Sequence, residues 1–204
     1  MFENILLPQT KKLLNRLDES SLPKNSYLAG GTAIALQLGH RRSADLDFFT
    51  PEEFIEKQWE KKLKDNLGFE LIKRDWQPLI GSITKVKISL FTYKYKLIAP
   101  RKLYGDMSIA SLPDLAAMKL DTILGRGTKR DIVDIYFLSQ RFSLKKLFTF
   151  YQEKYGNFEE RELMIKKALV FFEDADKDEM PDMINKISWE KTKKWFIRKI
   201  RQNP

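Results

Sequence analysis

The chain has 204 residues, 43% hydrophobic and 12% aromatic, which suits one compact domain or two small ones and excludes collagen-like, disordered and disulfide-scaffold classes. Lys and Arg number 37 against 28 Asp and Glu, a net charge of +9, which attracts nucleic acid, nucleotides or an acidic protein without choosing among them. With no cysteine and one histidine, disulfides, cysteine nucleophiles and thiolate metal sites are excluded, and His-rich metal clusters and Ser/His triads are disfavoured. No apolar run approaches the roughly 20 residues of a membrane span, and the first residues lack a basic stretch before an apolar one, so a cytoplasmic protein is expected.

In chain order, residues 5–17 carry apolar side chains at helical spacing (Ile5, Leu6, Leu13, Leu14, Leu17), with Pro8 acceptable in a first turn. The triplet Tyr27, Leu28, Ala29 reads as a short strand meeting Gly30-Gly31-Thr32, a turn that opens a helix over 32–38, closed by Gly39. Residues 45–49 alternate charged and apolar, as a half-buried strand does. Pro51 with Glu52 and Glu53 signals a helix start, and that helix is expected to reach Leu67 before Gly68. Strands are expected over 69–76, 79–83 and 86–93, where β-branched and aromatic residues are punctuated by Pro78 and Thr84-Lys85. From Pro113 the pattern turns helical, over 113–124, 129–140, 144–155, 159–172 and 189–201. The expected fold is α/β (α+β), a mixed sheet flanked by helices over residues 1–110 and an all-helical half over 111–204, with a ligand cleft between them.

Two aspartates at i and i+2 of a strand, Asp45 and Asp47, place their carboxylates side by side on one face. They repel unless a cation sits between them, and oxygen-only ligands favour a hard ion such as Mg²⁺, which completes its shell with water and substrate phosphates. A plainer reading stays open, an edge strand with a charged outer face. One helix upstream, the Gly30-Gly31-Thr32 turn offers backbone N–H groups and a helix dipole to an anion. Arg41-Arg42 lies between the two features and adds a guanidinium pair.

The run Leu28-Ala29-Gly30-Gly31-Thr32-Ala33, followed by Gly39-His40-Arg41-Arg42-Ser43-Ala44-Asp45-Leu46-Asp47-Phe48-Phe49, closely resembles the AbiEii/AbiGii-type toxin family, in the minimal-nucleotidyltransferase branch of the DNA polymerase beta superfamily. Asp114-Leu115-Ala116-Ala117-Met118-Lys119-Leu120 is similar to that family's lysine-bearing helix, and residues 126–135 to its motif of basic residues with two aspartates three apart, here Asp131 and Asp134. The resemblance implies transfer of a nucleoside monophosphate from an NTP to an acceptor with release of pyrophosphate. It implies Mg²⁺ held by Asp45 and Asp47, and β- and γ-phosphates bound by Gly30, Gly31 and Thr32 with donors from Arg42 and Ser43. Lys119 would place a charge on a phosphate oxygen, and Asp131 would orient that lysine or contact the nucleotide. The implied biology is a toxin of a toxin–antitoxin or phage-defence pair, with RNA (a tRNA end) or protein as acceptor and a cognate antitoxin as partner.

One departure stands out. Superfamily polymerases usually carry a third metal-binding carboxylate on a later strand, and Ser89 occupies that place here. Either two aspartates suffice, or Asp131 completes the site, or the chain is a catalytically silent NTP- or RNA-binding module or an antitoxin-partner subunit retaining the fold.

Residues 60–102 hold eleven basic against four acidic residues, an approach surface for a polyanion such as RNA or the outer face of a charged sheet. The acidic run over 173–182 lacks the Gly and Glu spacing of a Ca²⁺ loop and reads as a solvated loop. The basic amphipathic helix over 189–201 is expected to pack on the helical half, with an RNA or membrane contact as the alternative. His40 reads as a capping or surface histidine.

Overall fold

The computed structural model describes residues 1–74 and 78–202. Helix α1 (Pro8–Leu14), strand β1 (Tyr27–Ala29), helix α2 (Gly30–Leu38) and strand β2 (Leu46–Thr50) come first. They are followed by α3 (Glu56–Leu67), β3 (Glu70–Arg74), β4 (Leu79–Ile83), β5 (Val86–Thr92), β6 (Lys102–Tyr104) and β7 (Met107–Ile109). The remainder is helical: α4 (Leu112–Gly125), α5 (Lys129–Leu138), α6 (Leu144–Tyr155), α7 (Glu159–Ala168), α8 (Glu173–Lys177) and α9 (Trp189–Arg201). The α/β character expected from the sequence is therefore present. Asp75 and Trp76, at the end of the strand expected over 69–76, lie outside the described residues.

The strands form one mixed sheet in the order β3-β4-β5-β2-β1-β7-β6. Strand β2 runs antiparallel to β1 and parallel to β5, so it is an interior strand. This overturns the reading of the two-aspartate segment as an edge strand. Along β2, Leu46, Phe48 and Thr50 are buried on one face while Asp47 and Phe49 are half-buried on the other, the period of 2 that sends alternate side chains to core and cleft.

One hydrophobic core runs through sheet and helices, with Leu28, Ile34, Phe48, Leu120, Ile132 and Leu147 all at 0% exposure. Each such side chain stabilises the fold by about 1.5–3 kcal/mol. Helix α4 packs on α2, α5, α6 and α7, so one apolar helix ties the sheet-side helix to the rest. Ser111 caps it by accepting the Asp114 N–H, and proline stands in its first turn.

The Pro51 helix start is not used: α3 begins at Glu56. Thr50 belongs to β2, and its hydroxyl donates to the Lys24 carbonyl at 2.7 Å and accepts from the Glu52 N–H at 3.1 Å. The chain beyond it is thereby fixed as a turn. The sequence reading also passed over β6 and β7, two three-residue strands joined through Gly105 at φ 56°, too short for a period to register. Helix α7 stops at Ala168 instead of reaching 172, and the acidic run contains the single-turn helix α8. Helix α9 packs through Trp195 and Phe196 on Tyr136 of α5, as its amphipathic pattern led one to expect.

Candidate active site

A cleft of about 540 Å³ opens between the sheet and helices α4 and α5. Gly30, Gly31, Thr32, Ser43, Asp45, Asp47, Lys119 and Asp131 line it, as do Arg41, Lys87, Ser89, Phe49, Phe91, Arg126 and Arg130. Of the site residues expected from the sequence, only Arg42 is missing from its walls.

Gly30 begins α2 at φ 68°, a conformation that favours glycine. A Cβ there would sit 2.7 Å from Asp47 Oδ2, so the absence of a side chain lets the turn lie directly against the carboxylate. The Thr32 hydroxyl is engaged inside the fold, against the Asp45 carbonyl and 2.7 Å from Ser43 Oγ. This differs from the expected phosphate contact. Thr32, 1% exposed, fixes the loop carrying the first aspartate.

Asp47 and Ser89 are paired across β2 and β5, and the Ser89 hydroxyl hydrogen-bonds the carboxylate. Burial pushes the Asp47 carboxyl above its ordinary range, Ser89 opposes that, and the neighbouring Asp45 charge adds to it. Among the described residues neither aspartate forms an ion pair. The sheet wall thus presents two adjacent carboxylates without a direct ion pair among the described residues, Lys87 and Lys119 acting on Asp47 only from a distance.

The helical wall is the opposite case. Lys119, 5% exposed on α4, places its Nζ 2.9 Å from Asp131 Oδ1 and 3.0 Å from Asp134 Oδ2. Asp131 also accepts from Arg126 Nε at 3.0 Å and from the Thr128 hydroxyl at 2.6 Å. Asp134, wholly buried, accepts from Arg41 through Nε at 2.7 Å and Nη2 at 2.9 Å, and from His40 Nε2 at 2.8 Å. Burial alone would raise both carboxyls, yet Lys119 holds Asp131 below its usual range, and Lys119 with Arg41 holds Asp134 well below it.

Three corrections follow. His40 is neither a cap nor a surface residue: it is 0% exposed, bonded to Asp134 and against the Phe137 ring at 4.8 Å. Arg42 turns away from the cleft to pair with exposed Asp182 at 3.2 Å, and Arg41 occupies the place expected for it. Asp131 does not complete a metal site, because both its oxygens are taken by Lys119, Arg126 and Thr128. No cluster of three or more His, Asp or Glu able to hold a metal occurs among the described residues. Sequence reasoning named Arg41 within the Arg41-Arg42 pair and Asp134 within the motif of two aspartates, but gave neither a role of its own in the site. The signal available was the three-residue spacing of Asp131 and Asp134, which puts both on the helix face meeting Lys119.

The fold and cleft are those of a nucleotidyltransferase. The structure resembles JHP933 from Helicobacter pylori over 97% of this chain and 92% of that one, with a TM-score of 0.60 at 16% identity. It also resembles MenT4, a nucleotidyltransferase toxin from Mycobacterium tuberculosis H37Rv, over 89% and 77%, with a TM-score of 0.51 at 16% identity. In sequence the chain is 32% identical over 203 residues, 97% of each chain, to the uncharacterised protein aq_aa25 of Aquifex aeolicus (strain VF5). The family described as "Nucleotidyl transferase AbiEii toxin, Type IV TA system" matches residues 12–103 and 85–200. The chain belongs to that family.

Proposed function

We propose that this nucleotidyltransferase toxin binds an NTP with Mg²⁺ in the cleft and transfers its nucleoside monophosphate to a hydroxyl acceptor. The observation that carries the reading is the pair of cleft-lining carboxylates, Asp47 on an interior strand and Asp45 in the loop just before it, without an ion-pair partner among the described residues, with Asp47 pressed against a glycine turn at a helix N-terminus. Their donor set, two adjacent carboxylates with room for water and phosphate oxygens, fits a hard divalent cation. When bound, that ion neutralises negative charge developing on the phosphates.

The chain's own residues supply the rest. Backbone N–H groups of Gly30 and Gly31 at the start of α2 receive phosphate oxygens, helped by the helix dipole. Lys119, held rigidly between Asp131 and Asp134, provides a point charge for the triphosphate, and Ser43 adds a hydroxyl beside Asp45. The acceptor hydroxyl attacks the α-phosphorus, the bond to the bridging oxygen of the β-phosphate breaks, and pyrophosphate leaves. Asp131 and Asp134, held ionised by their cations, act as positioning residues for Lys119.

An RNA acceptor such as a tRNA end is the favoured class, because Lys87, Arg126 and Arg130 ring the cleft and residues 60–102, from helix α3 to strand β6, carry a basic excess. A protein hydroxyl is the alternative. The Type IV family description supports a cognate antitoxin as partner. No described helix is long and apolar enough to cross a membrane, and we place the site of action in the cytoplasm, where NTP and RNA are available.

The test is pyrophosphate release with Mg²⁺, each NTP and total RNA or protein. Release by the wild type that is lost on chelation and in Asp47→Asn is expected; equal release by both proteins overturns the assignment. A second reading has its own observation, Ser89 in register with Asp47 where superfamily polymerases carry a carboxylate. On that reading the chain is a silent NTP- or RNA-binding module, and NTP would bind with Mg²⁺ while no acceptor elicits pyrophosphate.

A further inference from the structure

Arg41 is 4% exposed, yet it forms part of the cleft wall beside Gly30, Gly31, Ser43 and Asp45. A Cβ on Gly31 would overlap Arg41 Nη2, so the guanidinium is packed against the backbone of the glycine turn, and only glycine permits that approach. Its plane is fixed by the two-point contact with Asp134 through Nε and Nη2, the fork geometry that suits arginine and not lysine. Its backbone is held as well: Arg41 bridges Met183, the Arg42 N–H donates to the Asp182 carbonyl at 2.8 Å, and the Ile184 N–H donates to the His40 carbonyl at 3.0 Å.

A guanidinium carries five N–H donors. Asp134 takes one from Nε and one from Nη2, and the Arg42 carbonyl takes one from Nη1 at 3.1 Å. One donor on Nη1 and one on Nη2 have no acceptor among the described residues, and Nη2 is the atom next to Gly31. Three cations, Arg41, Lys119 and Arg126, share the two carboxylates Asp131 and Asp134, and Asp45 also acts on Arg41 electrostatically without forming an ion pair among the described residues. An arginine serving only to tie its loop to α5 would need neither spare donors nor a glycine at 31.

We propose that Arg41, oriented by Asp134, is a phosphate-binding residue of the cleft, donating to the β- or γ-phosphate of the nucleotide from behind the Gly30-Gly31 turn. The proposal rests on the nucleotidyl-transfer reading above and adds the group that makes the site select for the length of the phosphate chain. Arg41 recognises di- and triphosphates over monophosphates, while Arg42, paired with Asp182 at the surface, does not take part.

The experiment measures the affinities of NMP, NDP and NTP of one base, with Mg²⁺, by titration calorimetry for wild type, Arg41→Lys, Arg41→Gln and Arg42→Gln. The wild type and Arg42→Gln are expected to prefer NTP over NMP. Arg41→Gln is expected to lose about tenfold or more of that preference, the worth of a charge-assisted hydrogen bond, with NMP affinity nearly unchanged and Arg41→Lys in between. A merely structural role would weaken all three nucleotides together and leave the ratio intact, which overturns the proposal. A wild type that binds none of them overturns the underlying nucleotide reading as well. Should the Arg41 variants not fold, a crystal structure of the wild type with a non-hydrolysable NTP decides. An Arg41 Nη within hydrogen-bond distance of a phosphate oxygen supports the assignment; phosphates bound with no such contact refute it.

Discussion

The two walls of the cleft solve the problem of buried charge in opposite ways. On the helical wall, Lys119, Arg41, Arg126 and His40 converge on Asp131 and Asp134, and every carboxylate oxygen has a donor. On the sheet wall, Asp45 and Asp47 stand together with no ion-pair partner among the described residues, and Lys87 and Lys119 act on Asp47 only from a distance. The first wall is complete in the folded chain and gives rigidity; the second is electrostatically unfinished, the state expected of residues whose partner arrives with the substrate. The same residue type thus has two roles, and the difference lies in neighbours contributed by other elements.

The contrast is open to direct attack. Replacing Asp134 by Leu strands Arg41 as an unpaired buried charge, leaves Lys119 with Asp131 alone and is expected to cost about 3–5 kcal/mol, measured as a shift in the urea midpoint; a loss below about 1 kcal/mol would mean the network is not integral to the fold. Asp47→Asn should behave the other way. Pyrophosphate release is expected to fall about 100-fold or more, while stability stays the same or rises by up to about 1 kcal/mol, because a raised pKa means the carboxylate is strained in the fold. A destabilised Asp47→Asn protein would show that this aspartate is structural.

Gly30→Ala strikes the seam between the walls. With φ at 68° and a Cβ 2.7 Å from Asp47 Oδ2, it is expected to cost about 1–2 kcal/mol and to weaken metal-dependent NTP binding, read by calorimetry. Acid separates the two walls again. Asp47 has a raised folded pKa, so the folded state binds its proton first, and the advantage of Asp47→Asn over wild type should shrink as pH falls through that raised value toward about 4. Asp134 is held well below its usual range, so its contribution is fully present above about 4 and disappears only as pH falls further, through its folded value. Denaturation of wild type and the two variants from pH 7 to pH 3 checks both signs. The smallest effect belongs to Arg42→Ala, whose exposed pair with Asp182 should be worth no more than about 0.5 kcal/mol, with pyrophosphate release unchanged.

Much of the site was legible because its signals are local. The alternation of Asp45, Leu46, Asp47, Phe48 defines which faces the side chains take, and the Gly30-Gly31 pair marks a turn into a helix closed by Gly39 in the left-handed conformation. Lys119 stood in a motif that paired it with Asp131, and the structure joins it to Asp131 and to Asp134 as well. The three-residue strands β6 and β7 were illegible because two or three residues carry no period. Pro51 misled because a proline after a threonine reads alike as a helix start and as a turn leaving a strand, and only the Lys24 carbonyl accepting from Thr50 makes it the turn.

By itself, then, the sequence determined the residue types at the cleft and the order of the longer elements, because spacing along one strand or helix is a property of the backbone alone, and its motifs carried the resemblance to the family. Tertiary structure alone decided that β2 is interior, that Arg41 and not Arg42 faces the glycine turn, and that His40 is buried against Asp134. Neighbouring residues in a loop have equal local claims. Contacts from strands and helices up to about a hundred positions away, Asp134 above all, give one of them a buried partner and leave the other in water.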